Sequence, residues 1–268
     1  MRIIVLTCSR RGTASRMLPA LCACPQLNVV RVVLAHGVSP NARKHRWRRL
    51  LKILRIGPLG ALNGIRMRAW YRDPSTPDVE ELCRTHGVPF FETPFINCDE
   101  TIRLFRDADA DLGLSLGNGY IGERVFSIPR HGMVNLHSEV LPAFQGASAV
   151  IWPIYENVAE TGFTIHQVNR KIDDGDILLQ EKWPIVFYDS LRETVAANLV
   201  PGRERSPAAM VKVCTDYATL KQHTVKQTGG KTYTTPSFWQ FLRILRNHSR
   251  MRSAQRVGPH DRKGLPAR

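Results

Sequence analysis

Short apolar runs rich in β-branched residues alternate along the chain with stretches whose apolar residues recur at helical spacing. Residues 2–7 show almost no alternation of apolar and polar positions, which is typical of a strand buried on both faces of a parallel sheet. Met17, Leu18 and Leu21 follow at helical spacing, and residues 29–35 predict a second strand. This order predicts a βαβ unit, and therefore an α/β fold with a mostly parallel central sheet.

The same patterns predict further elements along the chain. Strands are expected at 87–91, 111–116, 133–134, 163–168, 177–184 and 185–187, and helices at 78–85, 99–106, 125–128, 147–155, 190–199, 208–223 and 238–246. The segment 201–207 contains two prolines and a glycine, so we expect a break there. We therefore predict a catalytic domain at 1–200, a helical basic C-terminal extension at 201–246 and a disordered basic tail at 247–268.

A basic insertion at 39–73 interrupts the predicted catalytic domain. Residues 43–56 form an amphipathic pattern in which Trp47, Leu50, Leu51 and Leu54 share one helical face among Lys and Arg residues. Gly57-Pro58 ends this first stretch, and a second apolar and basic stretch follows. Four interpretations stay open: a helix on a membrane surface, a patch for RNA or an acidic ligand, a contact in a homo-oligomer, or a solvated helix that covers the core.

The charge of the chain lies mostly in two segments. The net charge is +15 overall; residues 43–73 carry ten Lys/Arg against one Asp, and residues 201–268 carry fourteen Lys/Arg against three acids. The rest of the chain is therefore mildly acidic. This charge alone is a weak argument for nucleic acid, which we do not favour as a partner, because no base-stacking motif accompanies it.

The cysteines and the apolar runs bound the class of protein. The six cysteines have no paired zinc-type spacing, so we expect reduced thiols and no bound metal. No run of 18 or more apolar residues predicts a transmembrane helix, and the first residues resemble a strand rather than a signal peptide. We expect a cytoplasmic protein, with peripheral membrane contact through 43–56 as one option.

Polar residues suited to acyl or formyl transfer follow a predicted buried strand. Asn135 and His137 emerge where that strand ends, and Asp173 arrives later on a turn that contains glycine. An amide can donate to an oxyanion, an imidazole carries a proton near neutral pH, and a carboxylate can orient the imidazole. A single histidine at a strand end is more often structural, so the joint pattern of the three residues carries the argument.

That joint pattern resembles the formyltransferases that use N10-formyltetrahydrofolate. Four ordered motifs carry the resemblance: Asn135-Leu136-His137, Leu141-Pro142-x-x-x-Gly146, Thr161-Gly162-x-Thr164-x-His166 and Asp173-x-Gly175-x-Ile177. Two departures are Ser138-Glu139-Val140, which replaces a commoner small or apolar run, and Gln145, which stands where Arg is frequent. Glu139 and Gln145 are therefore expected to affect the choice of acceptor.

The resemblance implies a Rossmann-like formyltransferase core and a set of site residues. Asn135 and a protonated His137 would stabilise a tetrahedral oxyanion, while Asp173 would orient His137 and assist proton transfer. The donor folate would bind Asn118, Gly119, Tyr120, Ile121 and Asp174. The acceptor would contact Arg10, Gly12, Thr13, Ser138, Gln145 and Gly146, with the residues before Ser15 forming an anion site at a helix N-terminus.

The resemblance also implies a reaction, with the acceptor left open. We expect transfer of a formyl group from N10-formyltetrahydrofolate to a primary amine, favouring the amino group of a nucleotide-linked amino sugar. The alternatives are a methionyl-tRNA formyltransferase, a phosphoribosylglycinamide formyltransferase, a folate hydrolase with the same three residues, and a non-catalytic folate-binding relative. The tail is too short for the C-terminal β-barrel of the methionyl-tRNA enzymes, and a basic surface suits a nucleotide diphosphate.

Overall fold

The structure is a computed structural model that describes residues 1–37, 42–146 and 148–256. Its strands alternate with helices over most of the chain. The strands are β1 Arg2–Thr7, β2 Asn28–Ala35, β3 Phe90–Thr93, β4 Leu112–Ser115, β5 Met133–His137, β6 Gln145–Gly146, β7 Glu160–Gln167, β8 Ile177–Pro184 and β9 Thr232–Tyr233. The α-helices are α1 Thr13–Ala23, α2 Ala42–Arg68, α3 Val79–Thr85, α4 Asp99–Asp107, α5 Glu123–Phe126, α6 Ile151–Tyr155, α7 Leu191–Thr215, α8 Tyr217–Gln222 and α9 Phe238–Arg256.

Seven of the described strands form one sheet in the order β3-β2-β1-β4-β5-β7-β8. The five strands from β3 to β5 are mutually parallel, whereas β7 runs antiparallel to β5 and β8 antiparallel to β7. The prediction of an α/β fold with a mostly parallel sheet is confirmed. The carboxyl ends of β1, β4 and β5 meet at one edge of the sheet, which is where ligands bind in open α/β folds.

Both faces of β1 are buried, as its unbroken apolar run predicts. Ile3 and Val5 pack into a core shared with α1 and α7, while Ile4 and Leu6 pack into a second core shared with α4. Side chains alternate between the two faces of a strand, so a strand covered on both sides must be apolar at every position.

The break predicted at 201–207 is absent, because α7 continues through Pro201, Gly202 and Pro207. Tertiary packing overrides the helix-breaking residues: Met210 and the apolar residues of the following turns are buried in the core that contains α1. The ring of Trp183 lies directly against Gly202. The predicted boundary between residues 200 and 201 therefore falls inside one continuous helix.

Residues 247–256 of the predicted disordered tail are helical, because α9 extends to Arg256. Two buried polar side chains attach this part of the helix to the core. Asn247 donates to the carbonyl oxygens of Ile154 and Tyr155 at 3.1 and 2.9 Å, and the His248 ring bonds to the hydroxyl of Thr194 at 2.8 Å. Low apolar content alone therefore underestimated the order of this segment. Residues 257–268 lie outside the described part of the chain.

The basic insertion forms α2, followed by a short 3-10 helix at Ala69–Tyr71. Gly57 has φ 75° and ψ 162°, so α2 consists of two helical stretches joined at the predicted Gly57-Pro58 break. Residues 38–41 of the predicted insertion lie outside the described residues. Across the described ranges, no helix combines the length and apolar character needed to cross a bilayer.

Candidate active site

Asn135 and His137 lie at the carboxyl end of β5, where the sheet changes from parallel to antiparallel pairing. They are two residues apart on one strand, so their side chains lie on the same face of the sheet. Asn135 pairs with His166 and His137 with Thr164 on the neighbouring strand β7. The Asn135-Leu136-His137 motif therefore lies beside the motif that runs from Thr161 to His166.

The amide of Asn135 has a defined orientation. Its Oδ1 accepts from the Ser115 hydroxyl at 2.9 Å, and its Nδ2 lies 3.1 Å from Nε2 of His166. Nδ1 of His166 lies 2.7 Å from the Gln167 carbonyl oxygen, so Nδ1 carries the proton and Nε2 accepts from Asn135. The second N–H of Asn135 has no protein acceptor among the described residues. That N–H can donate to a ligand oxygen in the cavity.

His137 is buried and presents one nitrogen to a carboxylate. Its Nε2 donates to the carbonyl oxygen of Phe144 at 2.7 Å, and its Nδ1 lies 3.6 Å from Oδ2 of Asp173. Burial lowers the pKa of His137 below its ordinary value, although the charge of Asp173 acts in the opposite direction. The imidazole is therefore neutral at neutral pH, with its free lone pair on the side of Asp173, rather than protonated at rest as the resemblance implied.

Asp173 is held in a left-handed backbone conformation with φ 53°. The amide of Gly146 donates to its Oδ2 at 2.9 Å, and the Gln145 side chain donates to its backbone carbonyl at 3.3 Å. Burial alone would raise the pKa of Asp173, but the attraction that His166 and His137 exert when protonated, together with the hydrogen bond from the Gly146 amide, lowers it below its ordinary value. The carboxylate therefore stays ionised beside the neutral imidazole.

These three side chains border a cavity of about 1050 Å³. The loop 117–121 after β4 forms part of its wall, and Asn118 donates to the Leu6 carbonyl at 2.7 Å and to the Ser115 hydroxyl at 3.2 Å. Three buried polar atoms of the lining have no protein partner among the described residues: Oδ1 of Asn118, Nε1 of Trp152 and Nε of Arg16. A buried acceptor and a buried donor without partners are costly unless a ligand or water bonds to them.

Glu139 is a buried carboxylate in the wall of the same cavity. Its oxygens accept from the Val150 amide at 2.7 Å, the Thr161 hydroxyl at 2.6 Å and the Val140 amide at 3.0 Å. Val150 and Ser148 have φ values of 70° and 76°, which are unfavourable for residues with a side chain. Burial raises the pKa of Glu139 to about 7. Glu139 therefore helps to hold a strained wall of the cavity and changes its charge near neutral pH.

Five arginines also line the cavity: Arg11, Arg16, Arg68, Arg72 and Arg203. Arg203 lies 3.6 Å from the carboxylate of Asp73 and donates to the Tyr71 carbonyl at 3.0 Å. Nε of Arg16 is buried with no partner in the described part of the chain. Burial, and after it the charge of Arg203, lowers the pKa of Arg16. Two guanidinium groups close enough to repel each other form a favourable site for an anion.

The predicted anion loop is only partly directed at the cavity. Gly12 and Thr13 line it at the N-terminus of α1. Arg10 does not, because its guanidinium group bonds to Glu80 at 2.6 Å and to Glu92. The structure thus brings Arg11 and Arg16, rather than Arg10, to the ligand side of this loop.

Of the other residues predicted to contact a ligand, some line the cavity and some do not. Gly119, Tyr120, Ile121, Ser138 and Gly146 line the cavity. Asp174 does not line it, and its carboxylate lies 3.5 Å from Nζ of Lys171. Gln145 is buried behind the Asp173 loop and supports that loop instead of facing the cavity.

Sequence reasoning missed Arg16, Arg203, Tyr71 and Tyr233 as cavity residues. The basic excess of two segments pointed to the regions that contain Arg68, Arg72 and Arg203, but not to individual side chains. Tyr233 reaches the site because β9 pairs with β6, and its ring packs 4.5 Å from that of Trp152. No local sequence pattern predicts the pairing of β6 with β9, because the two strands are far apart in the chain.

The chain is similar to known formyltransferases in sequence and in fold. Residues 99–212 match the family model described as formyl transferase. The methionyl-tRNA formyltransferase of Geobacter metallireducens is 30% identical over 105 residues, which are 39% of this chain and 34% of that protein. The chain therefore spans about a third of the length of this relative.

Solved structures share the fold at low sequence identity. The phosphoribosylglycinamide formyltransferase of Anaplasma phagocytophilum superposes with a TM-score of 0.56 at 18% identity, covering 81% of this chain and 87% of the other. An N-formyltransferase from Helicobacter canadensis, in complex with folinic acid and dTDP-3-aminofucose, superposes with a TM-score of 0.51 at 15% identity, covering 89% and 71%. At these identities the likeness supports the fold alone.

Proposed function

We propose that this chain, whose residues 99–212 match the formyl transferase family model, transfers a formyl group from N10-formyltetrahydrofolate to a primary amine. The arrangement of Asn135, His137 and Asp173 at the wall of one cavity carries the proposal. An amide N–H, a neutral imidazole and an ionised carboxylate are the groups that this transfer needs.

The residues of the cavity suit a folate. Its volume of about 1050 Å³ is large enough for a molecule of that size, and the loop 117–121 offers glycine backbone for close approach to a flat ring. The unpartnered Oδ1 of Asn118 would accept from an N–H group of a pterin ring. The Helicobacter canadensis relative was solved with folinic acid, a formylated tetrahydrofolate, and this supports the same ligand class here.

The residues divide the chemistry between them. As the amine attacks the formyl carbon, the free N–H of Asn135 donates to the oxygen on which negative charge develops. Neutral His137 accepts a proton from the attacking nitrogen at Nδ1, and ionised Asp173, 3.6 Å away, stabilises the imidazolium that forms. His137 then returns the proton to the departing N10 nitrogen. An oxyanion donor contributes about 10²–10³-fold and a positioned acid–base group about 10²–10⁴-fold.

The arginines support an acceptor that carries phosphate. Arg16 and Arg203 are partly buried, and Asp73 is the one carboxylate that interacts with both of them among the described residues. Nε of Arg16 has no partner there. A nucleotide diphosphate provides the negative charge that such a pair of guanidinium groups favours. We therefore favour a nucleotide-linked amino sugar as the acceptor.

Methionyl-tRNA is the second candidate, because the curated relatives act on it by name. A panel of acceptors separates the candidates. Purified protein is given N10-formyltetrahydrofolate with amino-sugar nucleotides, phosphoribosylglycinamide or methionyl-tRNA, and the release of tetrahydrofolate is followed optically. Turnover with an amino-sugar nucleotide, lost in Asn135→Ala and His137→Ala, supports the proposal. Turnover with methionyl-tRNA alone would reassign the acceptor, and formate release without any amine would indicate a hydrolase.

A further inference from the structure

The first stretch of α2 exposes an apolar face. Trp47, Leu50, Leu51 and Leu54 recur at the spacing that places residues on one side of a helix, and all four side chains are exposed. Leu54 is 71% exposed. In a soluble monomer large apolar side chains are exposed singly, whereas four on one helical face indicate a contact surface.

The second stretch of α2 and the start of α9 carry further exposed apolar side chains. The two helices pack against each other where Gly60 approaches the backbone of 236–238, and the guanidinium group of Arg66 lies 5.8 Å from the ring centre of Phe241. Large apolar side chains of both helices remain exposed: Leu59, Leu62 and Ile65 on α2, and Trp239, Leu242 and Leu245 on α9. Trp239 is 76% exposed. We call these residues, with those of the first stretch, the α2–α9 surface.

The α2–α9 surface lies within segments of one sign of charge. Residues 42–72 contain ten Lys/Arg and neither Asp nor Glu, and α9 contains five Arg without an acidic residue. Helices with exposed Trp and Leu among Lys and Arg bind at the interface of anionic bilayers, where the apolar side chains enter the headgroup region and the cations meet lipid phosphates.

We infer that the α2–α9 surface docks the protein on the surface of an anionic lipid bilayer. A second copy of the chain is a poor occupant, because it would bring two strongly basic, acid-free segments together. RNA would explain the charge, but it would leave exposed aliphatic side chains such as Leu54, Leu62 and Ile65 without a role, since they do not stack on bases. A bilayer explains both the charge and the apolar side chains.

Docking would also bring the cavity close to the bilayer. Arg68 follows Ile65 on the same helix by three residues, a distance of about 5 Å along the axis, and Arg68, Tyr71 and Arg72 line the cavity. The docked protein would therefore present its arginine-lined wall to phosphate-bearing molecules held at the membrane surface. The docking itself is independent of the proposed reaction.

Vesicle flotation with the full chain tests this inference. Vesicles of phosphatidylcholine alone are compared with vesicles that contain about one third phosphatidylglycerol, and we expect binding to the anionic vesicles to be at least about tenfold tighter. Leu54→Gln combined with Trp239→Gln should weaken that binding at least about tenfold, because it removes apolar side chains without changing the charge. Val225→Gln is the matched control, since this valine is 62% exposed and lies outside both helices.

Circular dichroism and thermal unfolding show whether each variant is folded, so that a loss of binding can be assigned to the surface. Equal binding of wild type and double variant to anionic vesicles would overturn the inference, as would the absence of flotation. If light scattering shows that the wild type is a dimer and the double variant a monomer, the surface binds a second copy of the chain instead. Tight RNA binding that the double variant abolishes, without vesicle binding, would assign it to nucleic acid.

Discussion

Nδ1 of His137 lies 3.6 Å from Oδ2 of Asp173, while the opposite ring nitrogen donates to the Phe144 carbonyl. This pairing leaves the unprotonated nitrogen of a neutral imidazole beside an ionised carboxylate. A proton that arrives at Nδ1 is therefore stabilised by the neighbouring charge. His137 can accept a proton from an amine without being protonated beforehand.

The pH dependence of the reaction follows from the lowered pKa of His137. Because the base form is required, activity should be high at neutral pH and fall only as the pH drops through a value below the ordinary 6.5. His137→Asn should lower kcat about 10²–10⁴-fold and remove this acidic limb. The measurement is a kcat profile from pH 5 to 9, with His86→Asn, at an exposed histidine, as the control. An unchanged acidic limb in His137→Asn would assign the titration to another group.

Asn135→Ala should reduce kcat about 10²–10³-fold, because the only proposed oxyanion donor from a side chain is lost. The affinity for folate should change little, because the loop 117–121, which we propose binds folate, follows β4, whereas Asn135 lies on β5. Stopped-flow turnover and equilibrium folate titration separate the two effects. Asn28→Ala, at an exposed position, serves as the control. A variant that loses folate affinity but keeps its turnover rate at saturation would argue for a binding role of Asn135.

Arg203→Ala should raise the KM for a phosphate-bearing acceptor about tenfold or more and leave kcat nearly unchanged, because a charged hydrogen bond to an anion is worth about 1.5–3 kcal/mol. Inorganic pyrophosphate should inhibit the wild type more strongly than the variant. Arg192→Ala, on the exposed side of the same helix α7, should behave like the wild type. Equal inhibition of Arg203→Ala and wild type would place the anion elsewhere.

Glu139 should make the stability of the fold depend on pH. Its pKa rises from 4.5 to about 7 on folding, so the protonated form is favoured and the stability it contributes is present below pH 4.5 and lost as the pH rises through about 7. The loss is up to about 3 kcal/mol.

Glu139→Gln cannot ionise and should show a flatter decline in the free energy of unfolding between pH 5 and 8, even if it is less stable overall. Urea titrations measure this slope, with exposed Glu81→Gln as the control; an equal slope in both variants would contradict the prediction.

The elements of the sheet could be predicted because their signals are local. The apolar run 2–7 and the pattern at Met17, Leu18 and Leu21 depend only on neighbouring residues, and the structure has β1 and α1 there. The course of the chain after residue 200 could not be predicted in the same way. Pro201 and Gly202 favour a break locally, whereas the packing of α7 against α1 and Trp183 favours a helix and prevails.

The sequence by itself determined that Asn135 and His137 share one face of a strand, because side chains two residues apart on a strand always do. It also determined the basic, apolar character of α2. Only the tertiary structure decided that Arg16 and Arg203 line the same cavity, and that Tyr233 reaches it through β9. It also decided that Glu139 is buried deeply enough for its pKa to rise to about 7. These properties depend on segments far apart in the chain and on the exclusion of water, and neither is encoded in local spacing.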